Sequence, residues 1–158
     1  WSMNRIIPDC VKYMVNNKKV KIRNPKASRP WQHVLEILNG YLKLAKRLSL
    51  DKKINGQSFN FGPKNNEIVP VKNILEYIKD NWDGFEWIKS KNPIKNETEM
   101  LVLNTKKAEK ILNWKTRLNV EAATILTIEW YKKFYKNKKE ITNFTREQII
   151  NYHKKIKI

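Results

Sequence analysis

At 158 residues the chain is long enough for one domain, or for one large piece of a bigger one. Lys and Arg number 33 against 15 Asp and Glu, a formal charge of +18, yet 41% apolar residues with six Trp supply a real core and exclude reading the charge as disorder. The longest apolar run is four residues, too short to span a membrane; the single Cys, Cys10, excludes an internal disulfide framework; and four scattered Gly exclude a Gly-rich phosphate loop.

Taken in chain order, residues 6–18 predict a helix, with Ile7, Cys10, Val11 and Met14 at helical spacing and Pro8 tolerated in the first turn. Residues 19–23 alternate and predict a short strand. Asn24 to Trp31 is a loop with two prolines. Residues 33–48 give the clearest helix, with Val34, Leu35, Leu38, Tyr41, Leu42, Ala45 and Leu48 on one stripe. A turn over 51–57 leads to a short strand at Ser58–Phe61, stopped by Gly62-Pro63. Val71, Ile74, Leu75, Ile78 and Trp82 mark another helix. Phe85 and Trp87, then Leu101 and Leu103, show period two and suggest two strands. Thr105 is placed to cap a short helix ending at Leu112. Residues 119–135 form a helix with a broad apolar face, hence a buried one. Thr145 to Gln148 reads as a capping box, with Phe144 and Ile149 as its staple, opening a last helix over 145–156. The order is mixed α/β, short strands with longer helices, and nothing marks a second domain.

The positive charge favours polyanions, but Lys, Asn and Ile make up 64 of the 158 residues and Lys is scattered along every segment. That is a compositional bias rather than the concentrated Arg and aromatic face of a nucleic-acid reader. No charged-then-apolar leader opens the sequence, and the lone Cys suits a reducing, cytoplasmic compartment. Two His and one Cys at no ligand spacing offer no metal site. Tyr135 and Lys139 form a Tyr-x-x-x-Lys match, but Lys is frequent enough for one to arise by chance, and it ends a helix with no glycine loop to serve it. Glu97 and Glu99 are weak signals for acid–base work. His33 and His153 stand without a nucleophile beside them and read as structural or surface residues.

One segment rises above this background, residues 22–36. Arg29 precedes a proline, which pushes its backbone into extended conformation and fixes where the side chain leaves the loop. Arg23 and Arg29 are two of only six Arg, and a guanidinium fork suits the paired oxygens of a phosphate better than an ammonium does. The plain alternative is a loop salt bridge with Trp31 as core.

The same segment, Arg23-Asn-Pro-Lys-Ala-Ser28-Arg29-Pro-Trp-Gln-His-Val-Leu-Glu36 and on to Leu42, resembles the signature of the CDP-glucose 4,6-dehydratases, which are extended short-chain dehydrogenases/reductases. Trp1 to Asp9, Phe59 to Pro63, Glu97 to Trp114, Trp130-Tyr131 and Phe144 to Ile149 resemble further family motifs in the same order. Asn96, Thr98 and Asn104 depart from the family's His, Ala and Asp. The resemblance implies an α/β fold: the C-terminal, nucleotide-sugar-binding part of such an enzyme, its N-terminal Rossmann half absent, with residues 33–62 completing the sheet of that half. It implies that the NAD loop and the catalytic Tyr and Lys lie upstream of residue 1, so that no catalytic or cofactor-binding residue belongs to this chain and the piece alone is inactive. The reaction implied is removal of hydride from sugar C4 by NAD, loss of water across C5–C6 and return of hydride to C6. Partners implied are CDP-glucose, the Rossmann half and a homo-oligomer, with no membrane and no specific nucleic acid. Carried over by position, Arg29 is directed at the diphosphate, Ile22 and Arg23 line the base pocket, and Arg5, Asn65 and Glu97 contact phosphate or ribose. Another nucleotide-sugar dehydratase or epimerase, and a non-catalytic basic module that binds nucleic acid, are the rival readings.

Overall fold

The computed structural model describes residues 5–64, 68–91 and 98–154. Among them are six α-helices and one two-stranded sheet. In chain order these are α1 (Ile6–Val15), β1 (Val20–Ile22), α2 (Val34–Leu50), α3 (Val71–Asn81), β2 (Trp87–Lys89), α4 (Lys106–Leu112), α5 (Val120–Lys136) and α6 (Ile141–Lys154), with 3₁₀ turns at Lys52–Ile54 and Lys138–Glu140. No helix among the described residues is long and apolar enough to cross a membrane.

The two strands pair in parallel, Val20 with Trp87 and Ile22 with Lys89. Val20 and Ile22 turn inward onto Ile74, Leu75 and Ile78 of α3, which in turn packs on α5. The buried Cys10 of α1 joins this core, and burial, with Asp9 next to it, pushes its thiol up to about 12. A second core gathers Ile54, Ala108, Leu112 and Trp114 beneath α2. A third joins Leu118, Ala123 and Tyr152. Helix α5 is well packed, as its broad apolar stripe requires, with Val120, Ala123, Ile128 and Tyr131 buried.

Several sequence expectations need correction. Helix α1 stops at Val15 because Asn16 and Asn17 leave the helical region, Asn17 at φ 52°. The segment 58–61 has no regular structure and joins no ladder among the described residues. Side chains bond here instead: Gln32 Nε2 donates to Phe61 O at 2.7 Å, and Thr116 Oγ1 to O of the following Gly62 at 2.8 Å. Phe85 lies outside β2 as a buried core residue, and Leu101 and Leu103 form no strand; that stretch makes a single bridge, Ser28 to Met100. Thr105 occupies the first cap of α4, yet its hydroxyl donates to Glu109 Oε1, and Asn104 Oδ1 accepts the Lys106 amide. The proposed capping box lies inside α6, which begins four residues earlier because the 3₁₀ turn at Lys138–Glu140 runs straight into it. Thr145 Oγ1 instead donates to Ile141 O and accepts from Trp130 Nε1, while Gln148 Nε2 donates to Leu126 O. The end expected for this last helix, 155–156, lies outside the described residues.

Helix α2 has the predicted length but an unusual orientation. Its buried positions are Glu36, Asn39 and Gly40, whereas Val34 (59% exposed), Leu38, Tyr41 and Leu42 (64%) of the apolar stripe face outward. Only Leu35 and Leu48 of that stripe reach a core. Gly40 is required by close approach: a Cβ there would meet the Phe61 ring at 2.6 Å. That ring is wedged edge-on between Tyr41 and Trp114, with centroids 5.8 and 5.0 Å away.

Gly40→Ala should therefore lower the denaturant midpoint. The helix-propensity gain of about 1 kcal/mol is outweighed by an overpacking cost of about 1–3 kcal/mol. In a Phe61→Leu background the same change should become neutral or favourable, which a double-mutant cycle by urea unfolding measures.

Candidate functional site

A cleft of about 760 Å³ opens where the first turn of α1, strand β1 and the 24–31 loop meet. Its walls carry Arg5, Lys21, Arg23 and Arg29 against one acid, Asp9. Four cationic side chains to one carboxylate, over an apolar floor that includes Ile22, Ala27 and Val71, make it attractive to anions with a flat or apolar part.

The loop is shaped by its own backbone. Asn24 Oδ1 accepts from Lys26 N in an Asx turn. Pro25 O and Ala27 O accept the Lys72 and Val71 amides at the start of α3, and Ser28 bridges to Pro70 and Met100. Trp31 Nε1 donates to Val69 O at 3.0 Å, so the ring is partly buried against the first core. Extended backbone before Pro30 then delivers Arg29 to the cleft. Its Nη1 donates to Ser28 O at 2.9 Å and Thr98 O at 2.8 Å, which hangs the half-buried guanidinium at the cleft wall. Of the plain alternative for this loop, the Trp31 part is met, since its ring packs against the first core.

Of the six residues singled out from the sequence, four share this cleft: Arg5, Ile22, Arg23 and Arg29. Arg5 precedes α1 as its N-cap, Arg23 follows β1, and both are exposed; Ile22 is buried at the strand end. Asn65 and Glu97 lie outside the described residues. Tyr135 and Lys139 are exposed at the end of α5 and in the following 3₁₀ turn, on elements that do not line the cleft. Sequence reasoning missed Tyr13, Lys21 and Ser90 in the cleft wall. Tyr13 was visible only as an off-stripe aromatic on α1, and Ser90 carried no signal at all.

It also gave no role to Glu36. This side chain is 0% exposed; Oε1 accepts the Arg117 and Leu118 amides at 3.0 and 2.9 Å, and its backbone carbonyl accepts Trp114 Nε1. Tyr152 lies beside it, its hydroxyl raised well above the ordinary phenol value by burial and then by the Glu36 carboxylate. One turn earlier, His33 caps α2, its Nδ1 accepting from Leu35 N at 3.3 Å. Burial holds its imidazole below the ordinary 6.5.

Among the described residues the one sheet has two strands, and the glycines at 40, 56, 62 and 84 lie far apart.

No family model matches the chain. By sequence it is 32% identical over 152 residues to the CDP-glucose 4,6-dehydratase of Salmonella typhimurium, an alignment covering 91% of this chain and 42% of that protein. By structure it is similar to UDP-glucose 4-epimerase with UDP-glucose from Thermotoga maritima, with a TM-score of 0.67, 18% identity, and 85% of this chain and 41% of that one covered. The chain thus spans about two fifths of the length of each. These likenesses bear out the resemblance read from residues 23–42, and the mixed, mostly helical fold with its short parallel sheet is that of the matched part of the epimerase.

Two predictions follow from the buried groups. Glu36→Ala orphans two amides and leaves a cavity, and should cost on the order of 3 kcal/mol or more, while Glu36→Gln, which keeps an accepting oxygen, should cost clearly less in the same unfolding assay. For His33 the folded value lies below the unfolded one. On acidification through about 6.5 the unfolded chain takes up a proton that the native imidazole refuses, so stability falls as pH falls. Above 6.5 the group contributes no pH dependence. His33→Asn should flatten this part of the stability–pH curve between pH 7.5 and 5.

Proposed function

We propose that this chain is the nucleotide-sugar-binding portion of a CDP-glucose 4,6-dehydratase, and that its cleft grips the CDP handle while the hexose is converted elsewhere. One observation carries the reading: Arg5, Ile22, Arg23 and Arg29, chosen from the sequence, line a single cationic cleft. The whole enzyme's reaction would be NAD-dependent conversion of CDP-D-glucose to CDP-4-dehydro-6-deoxy-D-glucose and water, with NAD held by a dinucleotide-binding portion that this chain does not contain. Here Arg29 takes the diphosphate, Arg5 adds charge at the α1 terminus, and Ile22 and Arg23 flank the base. Gripping a remote nucleotide supplies binding energy that orients the sugar.

The outward stripe of α2 supports the second half of the proposal. Val34, Leu38, Tyr41 and Leu42 form an apolar face that a finished protein covers, and residues 33–62 would complete the sheet of the dinucleotide-binding portion. The unladdered segment 58–61 is then the strand that this sheet receives. The likeness to UDP-glucose 4-epimerase favours one rival: a related dehydratase or epimerase acting on another nucleotide sugar.

Titration calorimetry with CDP tests the cleft. Arg29→Ala should weaken binding by on the order of 1.5–3 kcal/mol, and Arg23→Ala, at an exposed position, by less. Equal affinity in Arg29→Ala removes the diphosphate role. Comparing CDP with UDP, GDP and dTDP separates the rival, which predicts a different preferred base. Retention on DNA that collapses with salt, without CDP binding, would favour the nucleic-acid module instead.

A further inference from the structure

The wall of the cationic cleft holds one acid. Asp9 sits in the first turn of α1, half-buried, in a lining that also carries Arg5, Lys21, Arg23 and Arg29. No ion pair or hydrogen bond of its carboxylate is found among the described residues, although four cations share the cleft. The dipole of α1 favours an acid in that turn. A carboxylate nonetheless repels the anion that the four cations attract, and only a ligand that brings a donor to it offsets the repulsion. The strand end and the loop have already spent acceptors of their own. The carbonyls of Ile22, Asn24, Pro25, Ala27, Ser28 and Arg29 each take a backbone amide, and Asn24 Oδ1 takes the Lys26 amide. Tyr13, one turn further along α1, also lines the cleft and is 40% exposed, a flat surface on which a planar base can lie.

We propose that Asp9 is the residue that reads the base: its carboxylate accepts from the exocyclic amine of a pyrimidine lying between Tyr13 and the end of β1, and so selects cytidine over uridine diphosphates. The proposal deepens the nucleotide reading of the cleft and rests on it. Cytosine presents an amine at position 4, from which a carboxylate accepts; uracil presents a carbonyl at the same place, and its oxygen is repelled by a carboxylate. Ribose hydroxyls also donate, but they are the same in both nucleotides. A carboxylate directed at the ribose would therefore give no preference between the two bases.

The test is titration calorimetry of the protein with CDP, with UDP and with the CDP analogue whose pyrimidin-2-one ring lacks the 4-amine. The parent protein should bind CDP about tenfold more tightly than either of the others. Asp9→Asn removes the charge and supplies an amide that can donate to the uracil oxygen. CDP should then weaken and UDP tighten, which brings the two within about threefold of each other. Movement in opposite directions is a signature that a loosened fold, weakening both, does not produce. Asp83→Asn, the same change of charge at an exposed residue outside the cleft, should leave the ratio as it was. A parent that binds neither CDP nor UDP removes the nucleotide reading and this inference with it. A parent that binds CDP no better than UDP or the amine-free analogue removes only the role of Asp9. So does an Asp9→Asn change that moves CDP and UDP together, which would put the carboxylate at the ribose or the diphosphate. The analogue needs no variant, so it decides the matter even where Asp9→Asn does not fold.

Discussion

The Glu36 carboxylate, shut away from water, decides how the middle of this molecule is assembled. It accepts two amides from the 117–118 turn, its own carbonyl takes the Trp114 indole, and Tyr152 of α6 closes over it. Two chain segments far apart in sequence, residues 114–118 and Tyr152 of α6, are gathered at one turn of α2. A buried acid is costly unless hydrogen-bonded; here the backbone supplies two bonds, both to Oε1, while Oε2 has no partner among the described residues. With α2 held in this way, His33 and Gln32 at its start and Phe61 across it have fixed positions, and the 24–31 loop that shapes the cationic cleft runs directly into that start.

The same clamp explains why α2 looks inside out. Its inner face spends positions on a carboxylate, an amide and a glycine, which leaves the large apolar side chains on the outer face. In a free-standing domain that arrangement wastes burial. On the reading proposed above, the arrangement would separate two tasks: polar groups lock the helix to its own half, and apolar groups would be kept for the other.

Legibility in the sequence followed the range of the interactions involved. Helices whose apolar positions repeat over three or more turns were readable, and so were β1 and the pre-proline geometry at Arg29, because these depend on neighbours in sequence. In the cleft-lining set, Arg23 and Arg29 were marked by arginine chemistry in a lysine-rich chain, Arg5 and Ile22 only by the resemblance, and the fold brings the four together. Strands failed where pairing partners decide: Leu101 and Leu103 alternate as a strand should, yet only one bridge forms there. The stripe of α2 was seen correctly as a stripe, but periodicity cannot say which side of a helix faces the core. Thr145 and Gln148 have the spacing of a capping box, and the 3₁₀ turn ahead of them moved the helix start out of reach. Glu36 was invisible as a clamp because its partners lie about 80 residues away.

The tethering of Arg29 bears on how selective the cleft can be. A long cationic side chain normally samples many rotamers, and arresting it when an anion arrives uses up part of the attraction. Here two carbonyls have already stilled the guanidinium before anything enters. An incoming pair of oxygens meets a rigid template instead of a swinging charge, so geometry, and not charge alone, sorts one anion from another.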